Sequence, residues 1–211
     1  GDFPQGRGKL ATEGGRGLEW NKWSAQTTPA HDATLPFTRR FAGPMDYTPG
    51  AMNNATRTGF AHVFDRPMSQ GTRSHQLGLY VVFESPLQML ADSPTNYLRE
   101  PEAMEFLSAV PTTWDETRPL DGRIADYVVV ARRSGADWYL GAITDWTARE
   151  LPVDLSFLPA GKFELTEWAD GPNADRRADD CRKTVRTVTQ ATRLTLKLAE
   201  GGGYAARLRP Q

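Results

Sequence analysis

Late in the chain, Leu194-Thr-Leu-Lys-Leu198 sets apolar residues at every second position, and the β-branched run Thr184-Val-Arg-Thr-Val-Thr189 is read with the same period. A period of two places alternate side chains on opposite faces, so each stretch is expected to be a strand with one buried and one wet face. Further short apolar runs occupy residues 127–132, 138–144, 151–157, 163–168 and 204–208. Strong turn signals separate them, among them Ser134-Gly135, Pro159-Ala-Gly161, Asp170-Gly-Pro172 and Gly201-Gly-Gly203. About seven short antiparallel strands punctuated in this way predict a β-sandwich, placed here over residues 123–211.

The first half follows another pattern. Residues 72–84 hold Leu77, Leu79, Tyr80, Val81, Val82 and Phe83 behind a Thr72 or Ser74 cap, which predicts a helix buried on most sides. Ser85-Pro86 reads as the start of a short helix through Ala91, with Pro94 as its stop. Another helix is expected from Pro101, setting Met104, Leu107 and Val110 on one face until Pro111 ends it. Residues 35–47 read as a short buried strand, 51–71 as a long surface connection and 118–123 as a turn-rich connector. The expected domains are therefore residues 1–122 and 123–211. A strand without sheet partners leaves costly unpaired backbone groups, so partner strands are expected outside this chain. The opening Gly1-Asp2-Phe3-Pro4 likewise reads as a start within a domain.

Composition narrows the partners. Lys and Arg total 25 against 26 Asp and Glu, so no basic excess points to nucleic acid or to an anionic membrane surface. The densest basic cluster, Arg176-Arg177 and Arg182-Lys183, is interleaved with Asp175, Asp179 and Asp180 and reads as a solvated loop. No apolar run is long enough for a membrane-spanning helix. Cys181 is the single cysteine, so an internal disulfide is excluded while the redox compartment stays open.

Candidate chemistry gathers in residues 12–50. Glu13 and Glu19 are separated by a run containing Gly14, Gly15 and Gly17, whose backbone freedom can bring two distant carboxylates together. Paired carboxylates serve acid–base chemistry or hold a hard cation such as calcium; two solvated loop glutamates fit the same spacing. Trp20 and Trp23 flank Glu19, suited either to stacking on a pyranose, while favouring a protonated neighbouring carboxyl, or to core packing. Arg39 and Asp46 are candidates for substrate contact or for a structural ion pair. His31, His62 and His75 have no companion at metal-ligand spacing, and of these His31 is near enough to the cluster to bond a substrate. No Gly-x-Ser-x-Gly elbow, phosphate loop or paired-cysteine metal site occurs. In the second half, Trp138, Trp146 and Trp168 are either sugar-stacking platforms of a non-catalytic carbohydrate-binding module or core residues.

The run from Glu13 to Trp23, the motif His31-Asp-Ala-Thr-Leu-Pro-Phe-Thr-Arg39 and the motif Gly43-Pro-Met-Asp-Tyr-Thr-Pro-Gly50 resemble glycoside hydrolase family 97. The likeness continues through Tyr80-Val-Val-Phe-Glu-Ser-Pro-Leu-Gln-Met89, Val110-Pro-Thr-Thr-Trp-Asp-Glu-Thr117 and Asp126-Tyr-Val-Val-Val-Ala-Arg132. Phe3-Pro-Gln-Gly-Arg-Gly-Lys-Leu10 matches the family poorly. The resemblance implies an α-glucosidase or α-galactosidase, and a fold class of α/β followed by all-β. The last βα units of a (β/α)8 TIM barrel would come first and a C-terminal antiparallel β-sandwich second. It implies Glu19 as general acid, Glu13 and Glu19 as calcium ligands, and Trp20, His31, Arg39 and Asp46 around an oligosaccharide or α-glycoside substrate. The base or nucleophile is expected in an N-terminal part of the same enzyme, without which this chain would be inactive. The terminal sandwich is a candidate for homo-oligomer formation, and the parent enzyme for the periplasm or secretion.

Overall fold

The computed structural model describes residues 12–13, 24–86 and 88–211, with the backbone alone at positions 12, 13, 41, 42 and 46. In the first half lie β1 (Thr12–Glu13), α1 (Pro29–Thr34), β2 (Met45–Asp46), β3 (Asn54–Ala55), β4 (Ser69–Gln70), α2 (Arg73–Val82), α3 (Pro94–Leu98) and α4 (Pro101–Ala109). The second half is all strand: β5 (Glu116–Arg123), β6 (Tyr127–Ser134), β7 (Asp137–Thr144), β8 (Arg149–Asp154), β9 (Lys162–Asp170), β10 (Cys181–Thr189), β11 (Arg193–Leu198) and β12 (Gly203–Pro210). A six-stranded antiparallel sheet runs in the order β10-β9-β12-β7-β6-β5, and β11 pairs with β8 as a second, two-stranded sheet.

The alternation of side chains explains why both faces of the large sheet are covered. Val129, Ala131, Leu140, Ala142, Leu165, Ala206 and Leu208 share one core with Leu151, Val153, Leu194, Leu196 and Leu198 of the small sheet. Their sequence neighbours Val128, Val130 and Ile143 join Leu79, Val82 and Phe83 on the other face, where α2 lies. Further along that face Tyr139, Trp168 and Ala205 pack with Leu77, Tyr80, Val81 and Phe106, bringing in α4. The result is three layers, small sheet on large sheet on helices, matching the β-sandwich expected of this half but with its back sealed by the first half.

Glycines set how closely α2 lies on the sheet. A Cβ on Gly78 would sit 2.8 Å from the Ala142 carbonyl oxygen and 3.0 Å from that of Tyr204, and one on Gly141 would sit 2.6 Å from the Val81 Cβ. Gly78→Val should therefore destabilise the fold by about 3 kcal/mol through overpacking, lowering Tm by roughly 6–12 °C in a thermal melt. Buried Arg132 holds the other end of α2: its Nε donates to the Val81 carbonyl at 2.6 Å and its Nη2 to that of Val82 at 3.2 Å. A cation there satisfies the open carbonyls and complements the negative end of the helix dipole. Burial pushes the Arg132 guanidinium down to about 10, with nearby Arg40 adding to the shift and Glu84 opposing it.

Several local expectations change. Residues 35–47 form 3-10 turns at Leu35–Phe37 and Arg39–Ala42, with only β2 and a Tyr47 bridge in sheet pairing. Pro36 starts the first turn, and Gly43 ends the second at a φ of 107°. The expected helix from Ser85 is absent among the described residues 85, 86 and 88–91, where Gln88 is engaged in a parallel bridge with Tyr47. Pro94, expected as a stop, begins α3, whose cap Ser93 accepts from the Asn96 amide; proline at the first helical position gives up an N–H that would be unpaired anyway. Residues 118–123 belong to β5, an edge strand with a register shift between Pro119 and Asp121, which is where a proline fits a sheet.

Cys181 opens β10 and packs among the residues around α4. Burial raises its thiol to about 11, partly offset by Ser74. At pH 8 the thiolate fraction should be roughly 100-fold below that of a free thiol. Labelling by a disulfide reagent should thus be slow in the native protein and fast once it is unfolded. Native labelling at the free-thiol rate would contradict this. A thiol raised on folding also favours the native state below its free value and loses that contribution as pH climbs towards 11.

Candidate functional site

Two short parallel pairings, joining three segments, form the frame of the residues singled out from sequence. β1 runs parallel to β2, with Thr12 opposite Met45 and Glu13 opposite Asp46. Immediately beyond, Tyr47 bridges Gln88, again in parallel. Parallel neighbours require a crossover; α1 lies between the first two segments and α2 between the second and third. The three paired segments thus alternate with helices, the third being a single bridge at Gln88, and β3 and β4 also lie between the second and third. In this frame Glu13 and Asp46, a long way apart in sequence, become register partners at the backbone.

A buried polar cluster fixes the frame from behind. The Tyr47 hydroxyl donates to Asp32 Oδ1 at 3.0 Å, and His75 Nε2 lies 3.2 Å from Asp32 Oδ2. His75 Nδ1 lies 3.0 Å from the Gly202 carbonyl oxygen. A carbonyl only accepts, so Nδ1 carries a proton, and the remaining ring nitrogen shares one proton with the carboxylate. Tyr47, Asp32 and His75 are all at most 2% exposed, so these contacts are made without competition from water. The cluster joins α1, the residue after β2, the N-terminal turn of α2 and the β11–β12 loop. Sequence reasoning gave Asp32 and His75 no joint role; the Thr72 cap that predicts α2 is the signal that fixes where His75 stands.

Of the other predicted residues, His31 sits in α1, half-buried, and its Nε2 has no hydrogen-bond partner among the described residues. Arg39 lies in a 3-10 turn and its Nη1 donates to the Gly43 carbonyl at 3.4 Å. Its neighbour Arg40 pairs with Glu84 at 2.7 Å, where desolvation lowers the guanidinium value and the carboxylate opposes that shift. Glu13 and Asp46 are placed by backbone only, and Glu19, Trp20 and Trp23 lie outside the described residues. Among the described residues no group of three or more His, Cys, Asp or Glu side chains is arranged for a metal ion. The expected calcium ligands, Glu13 and Glu19, are not among the described side chains. As a donor set they offer carboxylate oxygens, the ligand type calcium takes.

Sequence reasoning missed a polar groove of about 870 Å³ lined by Asn54, Arg66, Arg73, Arg99, Glu100 and Arg177, among others. Of the predicted site residues whose side chains are described, His31 and Arg39, neither lines it. In the β half, Trp138 and Trp168 are each 2% exposed and belong to the core. Trp146 is half-buried, and its ring would stand 2.5 Å from a Cβ on Gly201. These three side chains form no exposed stacking platform.

Residues 113–209 match the family model described as "Glycosyl-hydrolase 97 C-terminal, oligomerisation". The chain is 47% identical over 202 residues to the retaining alpha-galactosidase of Bacteroides thetaiotaomicron, covering 95% of this chain and 30% of that protein. A probable retaining alpha-galactosidase of Streptomyces bingchenggensis is 35% identical over 85% of this chain and 26% of its own length. The chain superposes on the solved Glycoside Hydrolase Family 97 enzyme of Pseudoalteromonas sp. strain K8, in complex with acarbose. The TM-score is 0.85 and the identity 42%, with 96% of this chain and 32% of that one covered. A beta-arabinopyranosidase structure follows with TM-score 0.69 and 27% identity, covering 90% of this chain and 28% of that one. The chain thus spans about 30% of the length of the Bacteroides relative. Its identity to these proteins extends well upstream of residue 113, so the chain belongs to glycoside hydrolase family 97, with its β-rich half matching that family's C-terminal domain.

Proposed function

We propose that this chain is part of a retaining α-galactosidase that cleaves terminal α-galactosidic bonds, and that its first half forms one wall of the active site. The observation that carries this reading is the 47% identity to the Bacteroides retaining alpha-galactosidase across both halves of the chain. The parallel order of β1, β2 and the Gln88 segment, with intervening helices, supports reading residues 1–122 as the last units of a (β/α)8 barrel. In such barrels the loops after the strands carry the chemistry. Glu13 and Asp46 end β1 and β2, and Glu19 lies in the stretch that follows β1.

In this reading Glu19 donates a proton to the departing glycosidic oxygen. Trp20 covers the sugar's apolar face, and His31, Arg39 and Asp46 bond its hydroxyls. A retaining reaction also needs a nucleophilic carboxylate about 5–5.5 Å from the acid, a role assigned to no residue here. Glu13 and Glu19 would hold calcium, which would supply a fixed positive charge to the site. The Asp32–His75–Tyr47 cluster positions Tyr47 and, through it, the end of β2 that carries Asp46. Residues 113–209 mediate self-association, a reading supported by the description of the matching family model. The burial of Trp138 and Trp168 speaks against a carbohydrate-binding module built on them. Export to the periplasm or beyond completes the proposal.

The test is hydrolysis of aryl α-galactosides and α-glucosides by the full-length protein, with the first-formed anomer followed by NMR. Galactoside turnover giving the α-anomer supports the reading. Preference for glucosides, or release of the β-anomer, overturns its substrate or its stereochemistry respectively.

A further inference from the structure

The large sheet has two edges, and they are not alike. β5 carries Pro119, which removes a backbone donor, and its register breaks between Pro119 and Asp121; both features protect an edge against pairing with another chain. β10 carries neither. It runs nine residues from Cys181 to Thr189 and pairs with β9 without a register break, Cys181 opposite Asp170 through Thr189 opposite Lys162. Among the described residues its other edge has no strand beside it, since β10 ends the sheet order. In the small sheet β8 contains Pro152, and β11 has six residues against the nine of β10. At the midpoint of β10 stands Val185, 56% exposed and the one large exposed apolar side chain on the strands of the β half.

We propose that β10 is the self-association surface and that it takes β10 of a second copy in antiparallel pairing, with the two-fold axis at Val185. The inference rests on the self-association reading above and adds its place and register. A two-fold axis normal to the sheet keeps each residue on its own face, so it pairs positions of equal parity. Centring it on Val185 pairs the whole strand: Cys181 with the other copy's Thr189, Arg182 with Val188, Lys183 with Thr187, Thr184 with Arg186, and Val185 with itself. No two cations face each other. Centring on Lys183 or Arg186 opposes like charges directly, and centring on Thr184 sets Arg182 against Arg186, arrangements that destabilise a cross-strand pair. Centring on Thr187 avoids the clash but leaves Cys181, Arg182, Lys183 and Thr184 without a partner on the strand.

Charge on the strand is also partly neutralised within each copy. Lys183 pairs with Glu105 of α4, and Arg186 lies 3.2 Å from Glu167 of β9. The Thr184 hydroxyl donates to the same Glu167 at 2.6 Å, so this carboxylate lies beside the position where the second copy's Arg186 would arrive. The outcome is one continuous sheet with six strands from each copy, built on the isologous geometry that closes as a dimer.

Sedimentation and light scattering of the full-length protein test this alongside Val185→Lys and Val185→Cys, with circular dichroism confirming that both variants fold. The wild type should be dimeric, and Val185→Lys should be monomeric at the same concentration because it places two ammonium groups on the axis. Directly opposed residues stand about 4.5–5.5 Å apart at Cα, within the range of roughly 4.4–6.8 Å that a disulfide spans. Mild oxidation of Val185→Cys should therefore give a covalent dimer, absent from the wild type and from a Thr195→Cys control. A monomeric wild type would overturn self-association itself. A dimer that survives Val185→Lys, with no cross-link from Val185→Cys, would leave self-association standing and overturn the β10 edge.

Discussion

Replacing Glu19 by glutamine in the full-length enzyme should lower kcat on an unactivated α-galactoside by about 10²–10⁴-fold, the usual contribution of a positioned general acid. Glutamine keeps the size and most hydrogen-bonding capacity of the side chain but has no carboxyl proton to deliver. The loss should fall mainly on kcat, since the departing oxygen needs the proton as the bond breaks. Steady-state kinetics on a galactosyl oligosaccharide check this directly. A variant with wild-type kcat would remove Glu19 from the mechanism and leave the family membership untouched.

Stability offers the second large effect. His75→Ala should cost about 3–5 kcal/mol in denaturant or thermal unfolding, because it strips Asp32 of its buried partner and leaves a carboxylate without a counter-group. Asp32→Asn should cost distinctly less. The asparagine amide can donate to His75 Nε2 while its oxygen still accepts from Tyr47, so every contact of the cluster survives without a charge. The Gly202 carbonyl would keep its bond from Nδ1 in that variant and lose it in His75→Ala. Equal costs for the two substitutions would show that the cluster is held by packing alone. Since Tyr47 follows Asp46 directly, the same pair separates positioning from stability: at a temperature where both variants are folded, His75→Ala should also raise KM for the galactoside.

Much of the β half could be read from the chain because its physics is local. Leu194, Leu196 and Leu198 alternate with polar residues, and the turns at Gly135, Gly161, Gly171 and Gly201 mark where strands begin or end. β5 escaped because Pro119 and Gly122 look like a connector unless the strand is known to lie at an edge. The helices divided in the same way. α2 and α4 have caps or proline starts ahead of apolar runs, whereas α1 and α3 have six and five residues, too short for a period to show.

The site divides less evenly. Motifs named Glu13, Glu19, Arg39 and Asp46, but the nearness of Glu13 to Asp46 depends on parallel pairing between segments more than 30 residues apart. No local pattern encodes that pairing. Tyr47, Asp32 and His75 are likewise joined only by tertiary structure. The sealing of the sheet's far face by α2 was hidden for a related reason. The near-continuous apolar run Val128-Val-Val-Ala131 signals burial on both faces without saying what covers the second.

The most direct test of Glu19 as proton donor is the dependence of kcat/KM on the leaving group. It is measured with wild type and Glu19→Gln across α-galactosides whose aglycones range from alkyl alcohols to dinitrophenol. With the acid in place, rates should vary little across the series, because even a poor leaving group departs protonated. Without it they should fall steeply as the aglycone becomes more basic, with near-wild-type turnover only at dinitrophenol. Parallel dependences for the two enzymes would contradict the assignment.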